Sequence, residues 1–159
     1  MKILISYASN SGNTMLAARR IGQNIRKAGH TVAVQDVVDT SLSDVSVAEV
    51  VVLGACTWLT EGKQGQLPSQ GRDFVTKLTE AGALPGKPFA VFGFGRHEYT
   101  NFCAAAELLE HAVEHLDGRL VVPTLRVDGY YQHNVDHLDT WARVLVRAIK
   151  DLRPTKARL

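Results

Sequence analysis

Apolar and polar positions follow two rhythms along the chain. Short, nearly unbroken apolar runs occupy residues 3–7, 31–35, 50–53 and 88–93, and a fifth, interrupted by Pro123, covers 119–122 and 125–127. Such runs, bounded by polar or glycine-bearing segments, are the signature of strands buried on both faces. Between them the period changes to helical. Leu16, Ala17, Ile21 and Ile25 recur on one face, with Gly29 as a stop. Phe74, Val75 and Leu78 mark a second helix. Phe102, Ala105, Leu109, Ala112, Val113 and Leu116 mark a third, closed by Asp117-Gly118. Leu138, Trp141, Ala142, Leu145 and Ile149 line a last one. Residues 41–47 leave room for one helical turn. Residues 55–68 hold Gly62, Gly65 and Pro68 with almost no period, which predicts a long loop. Five buried strands alternating with helices predict an α/β fold, a doubly wound five-stranded parallel sheet with helices on both faces. No repeat or linker divides it. Residues 1–150 read as one domain and 151–159 as a short basic tail.

Composition narrows the function classes. With 18 Lys plus Arg against 16 Asp plus Glu, the formal charge of +2 is too small to imply nucleic acid. Two cysteines can build neither a disulfide scaffold nor a four-ligand zinc site, and they suit a reducing, cytoplasmic setting. No apolar run approaches a membrane span, and the apolar part of the first residues is too short for a signal peptide. His111 and His115, like His133 and His137, share a helical face, but neither pair has a third ligand in register, so no metal is expected.

Ligands of such sheets bind beyond the carboxyl ends of the strands, and three loops there are distinctive. After the first strand, Ser9, Asn10, Ser11, Gly12, Asn13 and Thr14 offer hydroxyls, amides and a glycine, with no Lys or Arg. Successive backbone N–H groups at a helix start make an anion nest, which the hydroxyls extend. The Gly-Lys-Ser/Thr ending of a P-loop and the three glycines of a dinucleotide turn are absent. The plainer reading is a helix cap with a solvated turn. After the third strand come Thr57, Trp58 and Leu59. After the fourth come Gly93, Gly95, Arg96, Tyr99, Phe102 and Cys103. Trp58 or Tyr99 alone is as well explained by a loop ring folded onto the core. Beside an anion nest, two aromatics at one sheet edge suggest a planar ligand held between rings.

The run Ser9-x-Ser11-Gly12-x-Thr14, the pair Thr57-Trp58, and Gly93-x-Gly95 followed by Tyr99 and Phe102-Cys103 resemble the flavodoxin family, in its short-chain form. Leu125-Arg126-Val127-Asp128-Gly129 and the helix bearing Trp141-Ala142 resemble its carboxyl end, so the likeness spans about residues 1–150. The resemblance implies strand order 2-1-3-4-5 and non-covalently bound FMN. It implies that residues 9–14 hold the FMN phosphate, with Thr57 near the ribityl chain. Trp58 and Tyr99 would flank the isoalloxazine, and Gly95, Arg96 and Cys103 would contact its pyrimidine edge. The activity implied is low-potential one-electron transfer, without catalytic residues, by a monomer. Its partners would be a flavin-dependent or ferredoxin-type reductase and acceptor redox enzymes. An FMN-dependent quinone or metal reductase on the same fold is the alternative.

Two positions depart from the family pattern. Relatives are usually acidic around the flavin, whereas Arg96, His97 and Lys63 stand here beside Glu61 and Glu98. Reduced flavin is an anion, so a positive charge at Arg96 implies a less negative potential. Leu59 stands where many relatives have glycine. A peptide flip that needs positive φ is harder for it by about 1 kcal/mol.

Overall fold

The computed structural model describes residues 1–98 and 101–152. Strand β1 (Lys2–Ala8) leads into α1 (Asn13–Lys27) and β2 (Thr31–Asp36). The short α2 (Leu42–Val47) follows, held by a reciprocal Ser41–Asp44 capping box. Strand β3 (Val50–Cys56) is followed by two short strands, β4 (Trp58–Thr60) and β5 (Lys63–Gln66). Then come α3 (Ser69–Glu80), β6 (Pro88–Gly95), α4 (Ala104–His115), β7 (Arg119–Leu120), β8 (Leu125–Asp128) and α5 (Val135–Asp151). The main sheet has the order β2-β1-β3-β6-β7, with β8 also paired to β6, and every pairing in it is parallel. Since β7 and β8 share the fifth position, this is the expected 2-1-3-4-5 order.

Side chains alternate across the sheet and feed two cores. Ile3, Ile5, Val52 and Phe92 pack with Ile21 and Ile25 of α1 and with Trp141 and Leu145 of α5. Leu4, Val51, Leu53 and Phe89 pack with Phe74 of α3 and with Leu109 and Val113 of α4. Each large apolar side chain so buried contributes roughly 1.5–3 kcal/mol. Between α1 and α5, Arg20 forms a two-pronged ion pair with Asp139, both bonds 2.7 Å, and Asn24 adds a third contact at 2.9 Å.

Two local expectations are corrected. The segment 55–68 is not a plain loop. Its middle folds as an antiparallel hairpin in which Trp58 faces Gln66 and Thr60 faces Lys63. The turn uses positive φ at Glu61 and Gly62, and the Thr60 hydroxyl donates to Leu67 O at 2.6 Å. The fifth strand is split at Pro123, as expected, because that residue has no N–H for the ladder. Phe102 precedes α4 rather than joining its apolar face. Cys103 takes a left-handed φ of 50° at the helix start and turns the chain there.

Candidate functional site

The carboxyl ends of β1, β3 and β6 open into a cleft of about 620 Å³. Its two ends are built differently. At one end, Gly12 caps α1 with φ 88°, a conformation open to glycine, and makes no side-chain cap bond. The first turn of α1 carries no acid, so the positive end of the helix is uncompensated. The Gly12 N–H donates to Ser9 Oγ at 3.0 Å, which curls the loop back on itself. Asn10 is exposed, and Gln70 donates to its side chain at 3.2 Å. Ser11 and Asn13 face the cleft, and the Asn13 amide donates to Ser11 Oγ at 3.2 Å. The Thr14 hydroxyl is buried, with no hydrogen-bond partner among the described residues. A buried hydroxyl left so is costly unless a ligand completes it. The Cys56 thiol borders both this end and the cleft. Burial pushes its pKa up.

The other end is aromatic and charged. Trp58 is 45% exposed and Leu59 58%, and both line the cleft from the hairpin. Thr57 lines it too. Its N–H donates to Phe94 O at 2.9 Å, and its hydroxyl accepts the Ala105 N–H at 3.2 Å, binding β3, β6 and α4 together. Gly95 and Arg96 form the facing wall. A Cβ at Gly95 would lie 2.7 Å from Cys103 N, so the close turn there needs glycine. Gly93 and Cys103 sit behind this wall. Gly93 lets α4 approach, since its Cβ would meet Ala106 at 2.7 Å. Cys103 is buried, its thiol facing the carbonyls of Gly93 and Val127, and burial pushes its pKa up to about 11. Phe102 is partly exposed and lies off the cleft lining. Tyr99 lies outside the described residues.

Sequence reasoning missed Tyr130. It lines the cleft 46% exposed, and the Arg96 guanidinium lies 4.9 Å from its ring centroid and donates to its hydroxyl. Its position just past Asp128-Gly129, at the carboxyl end of the fifth strand, was the available signal. Asp128 accepts the His97 N–H at 3.0 Å and bonds the His97 ring. The backbone bond holds its carboxyl below the usual range. At the hairpin tip, Arg72 contacts Glu61 at 2.6 Å and lowers that carboxyl as well. Gln64, Gly65 and Asn101 complete the rim.

The sequence model of the family described as flavodoxin matches residues 5–141. The chain belongs to the flavodoxin family. It is 30% identical over 148 residues to the flavodoxin of Nitratidesulfovibrio vulgaris, covering 92% of this chain and 98% of that one. It is 32% identical over 134 residues to probable flavodoxin 2 of Bacillus subtilis, covering 80% of this chain and 82% of that one. Among solved structures, oxidised flavodoxin 2 from Bacillus cereus superposes with a TM-score of 0.81 at 30% identity, over 94% of this chain and 99% of that one. Flavodoxins are FMN-binding electron carriers, and FMN is the cofactor that goes with membership. The residues present fit it. The uncapped α1 start and the orphaned Thr14 hydroxyl suit a phosphate, and the aromatic end suits a flat ring system. No helix among the described residues is long and apolar enough to cross a membrane.

Proposed function

We propose that this flavodoxin carries single electrons at low potential between a flavin-dependent or ferredoxin-type reductase and acceptor redox enzymes. FMN supplies the redox chemistry, and the protein supplies position and electrostatics. The observation that carries the reading is the joining, along one cleft, of the start of α1, where Ser11 and Asn13 line the cleft and the unpartnered Thr14 hydroxyl is buried next to them, to an aromatic end. Ser9, Asn10, Ser11, Gly12, Asn13 and Thr14 hold the phosphate through backbone N–H groups and hydroxyls, without a metal. Thr57 faces the ribityl chain. Trp58 and Leu59 cover one side of the ring system, and Gly95 and Arg96 border its polar edge, with Gly93 and Cys103 supporting them from behind.

Residues 1–150 act as one FMN-binding unit and 151–159 as an appended tail. We place the protein in the cytoplasm as a monomer, consistent with two free, buried cysteines. The test is the purified protein itself. It should be yellow with a band near 450 nm, release FMN on acid treatment, and pass electrons from a reductase to an acceptor without oxidising NAD(P)H unaided. Direct NAD(P)H oxidation with a quinone as acceptor would favour the enzyme reading instead.

A further inference from the structure

An exposed arginine at a cleft mouth has little fixed effect, because its side chain samples many rotamers and solvent screens its charge. Arg96 is not placed that way. Its guanidinium lies over the Tyr130 ring at 4.9 Å, donates to the Tyr130 hydroxyl, and has Glu98 at 3.5 Å. The loop that carries it is fastened on both sides of the residue. The Gly129 N–H donates to Gly95 O at 2.9 Å, and the His97 N–H donates to Asp128 Oδ1 at 3.0 Å. The platform beneath is fastened in turn. The Asn134 amide bonds the carbonyls of Asp128 and Tyr130 at 2.9 and 2.8 Å, and the Tyr131 N–H donates to Asn13 Oδ1 at 2.9 Å.

We propose that Tyr130 is a positioning residue: it holds the Arg96 charge at the mouth of the cleft, and the potential of bound FMN depends on it through Arg96. This rests on the FMN reading above. A positive charge fixed beside the cleft favours the reduced, more negative cofactor over the oxidised one, and so makes the potential less negative. A charge released into solvent does so less. Tyr130 itself carries no charge, so its influence on the potential should vanish when Arg96 is neutral.

The experiment is a spectroelectrochemical titration of the FMN-loaded protein, native and as Arg96→Gln, Tyr130→Ala, Tyr130→Phe and the double variant Arg96→Gln/Tyr130→Ala. Arg96→Gln should lower the potential by the equivalent of a two- to tenfold change in the reduced-to-oxidised ratio, roughly 20–60 mV for one electron. Tyr130→Ala should lower it by less. Tyr130→Phe, which keeps the ring face and loses the hydroxyl bond, should fall between native and Tyr130→Ala. In the double variant the Tyr130 change should add nothing further. An unchanged potential in Arg96→Gln overturns the proposal, as does a Tyr130→Ala shift equally large with and without Arg96. Failure of the native protein to bind FMN at all is a different result, absence of the 450-nm band, and overturns the underlying reading.

Discussion

The end of the cleft built from residues 9–14 carries no charged side chain, while the opposite end gathers Arg96, His97, Glu98 and Asp128 within a short reach. The first is made by one stretch of chain. A left-handed glycine, a few hydroxyls and the start of α1 lie within six consecutive residues. The second is made by loops more than thirty residues apart, joined by contacts such as Arg96 to Tyr130 and His97 to Asp128. An anion held by dipoles needs only correct backbone geometry. A flat ring needs walls, and walls here come from the hairpin on one side and the joined β6 and β8 loops on the other.

If the two ends act separately, substitutions should divide by ligand. Thr14→Val removes the hydroxyl that has no partner among the described residues. Hydrogen bonds to charged groups contribute about 1.5–3 kcal/mol, so FMN affinity should fall roughly 10- to 150-fold. Binding of riboflavin, which lacks the phosphate, should hardly change, and the flavin-free protein should melt no lower than native. Fluorescence titration with both ligands measures this, and an equal loss for riboflavin would erase the distinction.

Trp58→Ala should give the opposite pattern. Stacking of a flat ring on an aromatic contributes about 1–3 kcal/mol, so FMN and riboflavin should weaken together by roughly 5- to 150-fold. Since the Trp58 side chain is largely exposed, thermal stability without flavin should stay near native. A change confined to FMN would show that Trp58 acts through the phosphate end.

The smallest effect should appear away from both ends. Asp139 is held at about 2, chiefly by its hydrogen bonds with Arg20. A carboxyl whose folded pKa is depressed stabilises the fold above its ordinary value near 3.8, and that contribution disappears as pH falls through about 2. Asp139→Asn should therefore lower the Tm at neutral pH by no more than roughly 3 °C. The gap to native should close as the pH drops from about 4 toward 2. Flavin affinity at pH 7 should be unchanged. A fall in affinity there would mean that the α1–α5 contact is transmitted to the cleft.

Legibility in the sequence followed the distance over which each feature is encoded. The strands and four longer helices were readable because burial on two sheet faces imposes local periods on Ile3, Ile5, Val51, Leu53, Leu145 and Ile149. The turn at residues 9–14 was readable because its glycine and hydroxyls lie within one stretch of chain. The hairpin at Trp58–Thr60 and Lys63–Gln66 was not, since its residues are mostly exposed and follow no apolar period. Phe102 was assigned to the helix that follows because its spacing matched, whereas the turn at Cys103 places it outside. Tyr130 lies in a polar connection with no apolar period, and its place at the cleft follows from the loop after β6 that packs beside it.

Sequence alone was enough to determine the layered α/β architecture, the strand order implied by its family likeness, and the glycine- and hydroxyl-bearing start of α1. Each depends on neighbours close along the chain or on which face of an element is buried. The tertiary structure alone decided which side chains wall the cleft, and that Arg96 is clasped by Tyr130 on a platform fixed through Asp128 and Asn134. The His97–Asp128 and Arg96–Tyr130 contacts join residues 31 and 34 positions apart, and no local period records them. They exist because parallel pairing of β8 with β6 brings Gly95 opposite Asp128, so the two loops leave the sheet side by side.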